Sequence, residues 1–183
     1  MSTWFYRFVS REIIPRVYFW FNPIKDYGEL AYLHTIVQPG DFLTSTTWNK
    51  LSSLIIPGKI DHAAIYVGEG MVVEMVGTGW QRVSLDDFWR HSTNMAVLRH
   101  TYWCEHYSWE MCGRANSLEG TRYDLQFRID ASPALYCSEL LLVCDYENRA
   151  KFNLGDLAGL GYKYLSPTGV FNARGCEKVF NTH

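Results

Sequence analysis

The sequence predicts an α+β domain, and three stretches carry that expectation. Ala63 to Val67 and Met71 to Val76 are apolar, β-branched runs on either side of Gly68-Glu69-Gly70, the clearest hairpin in the chain. Residues 105–119 set Tyr107, Met111, Ala115 and Leu118 in helical step, and Gly120 stops them. Ser132-Pro133 reads as a second helix start, because serine caps a first turn and proline suits the first helical position. The apolar run from Leu140 to Val143 would then drive this helix into the core.

Taken in order, residues 3–21 are rich in aromatics until Pro15 interrupts, with Trp4, Phe5, Phe8, Val9 and Ile13 near helical spacing and Arg7, Ser10 and Arg11 opposite. Two uses fit such a helix: a packed N-terminal arm, or an amphipathic segment lying on a membrane surface. The arm is favoured, since two or three arginines make a thin basic face. Gln38-Pro39-Gly40-Asp41 is turn chemistry, and Phe42-Leu43 begins a strand. Thr46 or Thr47 caps a short helix through Trp48, Leu51 and Leu54, which Pro57-Gly58 closes. After the hairpin, Gly77-Thr78-Gly79 ends its second strand. Residues 81–90 read as a little strand and then a short helix, and Ala96-Val97-Leu98 as another strand. The tail from Asn153 to Gly169 is turn-like, and Val170-Phe171 or Val179-Phe180 adds a last strand. Two segments are expected: 1–30, an aromatic extension, and 31–183, the folded domain.

Composition narrows the partners. The chain has 183 residues, 48% hydrophobic and 20% charged, enough for a sizeable core and far from disorder. A net charge of −2 without a basic run leaves no footprint for nucleic acid. Five cysteines form an odd set, and no signal-peptide pattern precedes them, so free thiols in the cytoplasm are expected. Peripheral membrane or oligomer contact through residues 1–24 is the alternative role for the extension.

The chemistry begins at Cys137, expected in or near the first turn of its helix. There backbone amides point outward and a thiolate is favoured, so the thiol pKa can fall from about 8.5 toward neutrality. The plainer reading is a small hydrophobe on a buried face. A nucleophile needs a partner, and the hairpin offers one. With a three-residue loop, Val67 opposes Met71 and Ala64 opposes Glu74. His62 then lies diagonal to Glu74 on the same face, at a backbone separation on the order of 7–8 Å that their side chains can bridge. A two-residue loop would shift the count by one and separate them. A carboxylate beside a histidine fixes its tautomer and leaves the far nitrogen to take a proton. The competing view makes that face solvated, but Tyr66 and Val72 would then be exposed as well.

With these residues placed, the chain resembles the circularly permuted NlpC-type papain-like cysteine hydrolases of the YiiX/YebB-like branch, to which lecithin:retinol acyltransferase and a poxvirus protein are related. Gly40-Asp41-Phe42-Leu43 is similar to the family's opening strand, Asp61 to Gly68 to its histidine strand, and Val72-Val73-Glu74 to the strand with its polar third residue. Val83 to Phe88 is similar to the segment that follows. Tyr123 to Phe127 and then Tyr136-Cys137-Ser138-Glu139-Leu140 are similar to its nucleophile region. The resemblance covers roughly residues 38–170 and is most specific at the histidine strand and at Tyr-Cys-Ser-Glu-Leu. It implies a papain-like fold, an antiparallel sheet packed against helices. It also implies Cys137 as nucleophile, His62 as general base and then acid, and Glu74 as the orienting third member. Glu139 reads as structural. Acyl transfer through a thioester would follow, by hydrolysis or transfer, on a peptide, amide or lipid acyl substrate. Ala63-Ala64 is smaller than the family pattern leads one to expect.

Other chemistries fit less well. His91, His100, Cys104, His106 and Cys112 cluster in sequence, yet their spacing matches no familiar zinc motif. The glycine-rich tail lacks a phosphate-loop Lys-Ser/Thr. No cofactor is expected. A cell-wall peptide endopeptidase, or a silent binding module on the same fold, are the alternative functions.

Overall fold

The computed structural model describes residues 26–46, 60–129, 133–156 and 161–183. The expected helix within 3–21, the short helix through Trp48 and Leu54, and Ser132 lie outside the described residues.

Six strands form one sheet: β1 (Phe42–Thr46), β2 (His62–Gly68), β3 (Met71–Val76), β4 (Gly79–Ser84), β5 (Asn94–His100) and β10 (Cys176–Asn181). Their order is β10-β5-β1-β2-β3-β4, and every neighbouring pair is antiparallel. Among the described residues five helices accompany it: α1 (Tyr27–Ile36), α2 (Leu85–His91), α3 (Glu105–Ser117), α4 (Cys137–Cys144) and α5 (Pro167–Phe171). Two-residue strands also pair, β6 (Arg122–Tyr123) with β7 (Ala134–Leu135), and β8 (Gly155–Asp156) with β9 (Lys163–Tyr164). Helix α1 spans the expected boundary at residue 30 and buries Leu30 and Leu33.

Strand alternation sorts two cores onto the two faces of the sheet. Phe42, Ala63, Ile65, Val73 and Leu98 point toward α3, α4 and α5, meeting Met111, Ala115, Leu140, Leu141 and Val170. Leu43, Ala64, Tyr66, Val72 and Val97 point the other way, toward Leu30 and Leu33 of α1 and Phe88 and Trp89 of α2. Burial of a leucine such as Leu140 is worth about 1.5–3 kcal/mol, so the short α4 is held by packing rather than by its own length. Local chemistry sets the ends of the other helices. Ser84 Oγ accepts from the Asp87 amide at 3.0 Å, and Ser166 Oγ accepts from Gly169 at 2.9 Å with Pro167 at the first helical position. Before β1, Asp41 is fully buried and takes two bonds from Arg99, at 2.9 and 2.6 Å. Arg99 also donates to the Ile36 carbonyl at 2.7 Å, tying the end of α1 to β5.

The hairpin contains a correction. Its loop is two residues, Glu69-Gly70, both at positive φ (54° and 71°) as a type I′ turn requires, and Gly68 pairs with Met71. A bulge between Tyr66 and Gly68 absorbs the extra residue. Tyr66 therefore still opposes Val72, and Ala64 still opposes Glu74. The shorter loop and the bulge cancel, and the expected facing survives.

One further expectation changes, and an open one is resolved. Helix α4 begins at Cys137, four residues after Pro133, because Ala134 and Leu135 pair in parallel with Arg122 and Tyr123. Val170-Phe171 belongs to a helix, and the last strand is the one holding Val179-Phe180. No helix among the described residues is long and apolar enough to cross a membrane.

Candidate active site

Cys137 is the first residue of α4 and His62 the first of β2. By strand parity His62 faces the α2 side, whereas Cys137 belongs to the core on the other side. They meet because each opens its element, so contact is made at the end of the sheet and not through it. The His62 side chain hydrogen-bonds the Cys137 sulfur, and the Ala63 amide adds a second donor.

The two ring nitrogens of His62 divide their work. Nε2 lies 2.5 Å from Glu74 Oε2, a short hydrogen bond between side chains that are both buried. Nδ1 is thereby left for the thiol. The Phe88 ring packs beside the imidazole at a centroid separation of 5.9 Å. A buried imidazole held by a carboxylate on one nitrogen and an aromatic face has little freedom to turn.

The thiol shows the consequence. Complete burial works to raise its pKa, since desolvation disfavours the thiolate. The His62 hydrogen bond and charge, the Ala63 amide and the Ser138 hydroxyl outweigh that effect and hold the thiol below its ordinary value. Helix position adds in the same sense.

The start of α4 is gripped from both sides of Cys137. The Leu165 amide donates to the Tyr136 hydroxyl at 2.9 Å, and the Ser138 hydroxyl donates to the Leu165 carbonyl at 2.7 Å. The Tyr136 amide reaches the Glu139 carboxylate at 3.5 Å, in keeping with the structural reading of Glu139. Nearby, Asp124 accepts from the amides of Gln126 (2.8 Å) and Arg128 (3.1 Å), fixing a turn whose Phe127 packs on Tyr136 at 5.6 Å.

Sequence reasoning missed Gln81. Its Nε2 donates to Glu74 Oε1 at 2.6 Å from the directly opposed position on β4. The signal was present in Gly77-Thr78, which reads as a strand end and is in fact a two-residue turn pairing Val76 with Gly79. Counting back from that turn places residue 81 against residue 74.

The histidines and cysteines weighed as a metal motif are scattered. His100 and Cys112 are buried, whereas His91, Cys104 and His106 are exposed. Among the described residues, no group of three or more His, Cys, Asp or Glu is placed to hold one ion.

Residues 36–179 match the family described as permuted papain-like amidase enzymes, YaeF/YiiX, C92 family. A curated relative, the probable lipoprotein peptidase YaeF of Escherichia coli (strain K12), is 24% identical over 136 residues. That alignment takes in 73% of this chain and 49% of the relative, so the chain spans about half the length of the curated protein it matches. A solved structure described as the metalloprotein yiiX from Escherichia coli O157:H7 superposes with a TM-score of 0.69 at 19% identity. It covers 79% of this chain and 97% of that one, and speaks for the fold.

Proposed function

The chain belongs to the permuted papain-like amidase family, and we propose that it is a cysteine hydrolase acting on amide or (thio)ester bonds of an acyl substrate. One observation carries the reading: a fully buried thiol is held below its ordinary pKa by an imidazole that a carboxylate anchors at 2.5 Å. Burial without such partners does the opposite.

Each role follows from an atom. The Cys137 thiolate attacks the carbonyl carbon, and charge moves to the carbonyl oxygen. The Cys137 amide, at the first helical position and without a partner inside its helix, faces that developing charge. The imidazolium of His62 gives its proton to the leaving amine or alcohol as the carbon–nitrogen or carbon–oxygen bond breaks, leaving a thioester on Cys137. Neutral His62 then takes a proton from water, whose oxygen attacks the thioester. Carboxylic acid leaves, and the thiolate–imidazolium pair is restored. Glu74 holds the ring and stabilises its charged form throughout.

The amide option is supported by the family's description. The aromatic share of 16% supports an apolar acyl group beside the bond. A second reading, cleavage of a peptide or cell-wall peptide, is favoured by the relative named a probable lipoprotein peptidase. Transfer of the acyl group to another acceptor would use the same thioester. A cytoplasmic setting belongs to this proposal, supported by five free thiols.

The test is adduct mass spectrometry after incubation with acyl-fluorophosphonate and thioester probes, run beside peptidoglycan fragments. An adduct confined to Cys137 and lost in His62→Ala is expected, acyl from the thioester probe with its thiol released and phosphonyl from the fluorophosphonate with fluoride released. Equal labelling of Cys137 and the exposed Cys104 by iodoacetamide at neutral pH would leave only a binding module.

A further inference from the structure

The Glu74 carboxylate has two oxygens, and the structure commits each to a different neighbour. Oε2 meets His62, one strand away on the diagonal, and Oε1 meets Gln81, directly across on β4. A carboxylate only accepts, so the Gln81 amide nitrogen must be the atom that faces it. With one oxygen pinned from β4, the plane of the carboxylate is set and the other oxygen is aimed at the imidazole. An isolated buried glutamate would keep a rotatable terminal torsion.

We propose that Gln81 is a positioning residue, acting through Glu74 to hold the plane and charge that keep His62 turned toward Cys137. The proposal rests on the hydrolase reading above and adds a fourth member behind the three. Its chemistry suits the place. An arginine or lysine at 81 would neutralise Glu74 and compete with the imidazolium for it. A carboxylate at 81 would repel Glu74 or share a proton with it. A neutral amide stabilises the anion by one hydrogen bond and leaves its charge for His62. The ionisable side chains at this junction are Cys137 at the start of α4, His62 at the start of β2 with Asp61 just before it, and Glu74 on β3. Gln81 adds none.

The experiment uses the full chain. Carboxymethylation of Cys137 by iodoacetate is followed from pH 5 to 9 in wild type, Gln81→Met and Gln81→Asn, with proton NMR of the His62 ring hydrogen bonded to Glu74. Gln81→Met keeps the length and loses the donor. It is expected to slow the reaction at pH 6 about tenfold and to shift the ring-proton resonance, while the melting temperature stays near that of wild type. Gln81→Asn, which keeps the donor on a shorter arm, is expected to fall between them. A mere packing role would move the melting temperature and leave resonance and pH profile alone, and that result overturns the proposal. The wild-type chain supplies a readout that needs no variant. The Gln81 Nε2 protons should shift through the pH range in which Cys137 loses its reactivity. Protons that stay fixed there overturn the proposal even if Gln81→Met does not fold. Failure of the underlying reading looks different: wild-type Cys137 would react no faster than Cys104, and both conclusions would fall together.

Discussion

Helix α4 has a cysteine at each end, Cys137 and Cys144, and both are buried, at 1% and 0% exposure. They sit roughly 10 Å apart along one axis. Burial acts on them in the same direction, yet the thiol of Cys137 is held below the ordinary value and that of Cys144 is pushed far above it. The difference is company. At Cys137 an imidazole, a backbone amide and a hydroxyl all favour the anion. At Cys144 the neighbours are the Cys112 thiol and the Asp145 carboxyl, whose charges would oppose a second anion, with Arg114 giving only partial relief. The donors a buried cysteine faces thus decide which way its pKa moves, and the same helix carries its own control.

The largest effect should come from removing the feature that separates the two ends. His62→Ala is expected to slow alkylation of Cys137 at pH 6 by on the order of 100-fold, measured by time-resolved peptide mass spectrometry, and to abolish turnover. Cys144 should stay inert in both proteins. Next comes Glu74→Gln, which keeps the shape but gives His62 a neutral partner. A loss of about 100-fold in kcat/KM on the best acyl probe is expected, with Cys137 still alkylated faster than Cys144. Parity of the two cysteines in that variant would shift the whole burden onto Glu74.

A smaller effect is thermodynamic, and its sign follows from the two ends. Cys144 has a folded pKa raised above its unfolded value of about 9. Its contribution to stability is full below pH 9 and is lost as pH rises toward the folded value. Cys112, pushed up to about 11, and Cys176, pushed up to about 12, act alike. Cys137 has the opposite sign: its contribution is present above pH 9 and is lost as pH falls through its depressed folded value. Urea midpoints are therefore expected to decline from pH 9 to 10.5, and Cys144→Ala to flatten that decline. The same variant should cost about 1 kcal/mol at neutral pH and leave turnover unchanged. A midpoint that rises with alkali would break the comparison.

Much of this was legible in the chain, for identifiable reasons. Strand alternation and glycine turns are local, so the hairpin, the strand at 96–98 and the helix at 105–119 could be read directly. The His62–Glu74 facing was reached through a miscounted loop, because a bulge is a tertiary accommodation with no residue signature in Tyr66-Val67-Gly68. The start of α4 was misplaced for a similar reason. Serine and proline supply a plausible cap, but pairing of Ala134-Leu135 with Arg122-Tyr123 extends the backbone up to Tyr136. Gln81 needed a second hairpin count that the Gly77-Thr78 turn would have allowed. The meeting of Cys137 with His62 depends on how α4 lies over β2 and β3, and no local pattern encodes it.

Leu165 hydrogen-bonds both neighbours of Cys137 through its main chain, giving its amide to Tyr136 and its carbonyl to Ser138. Both bonds are made by the backbone and require that residue 165 own an N–H, whereas the fully buried Leu165 side chain serves the core. Proline is excluded there by the lost donor and a polar or much smaller residue by the packing, while an apolar residue of similar volume leaves the grip on α4 intact.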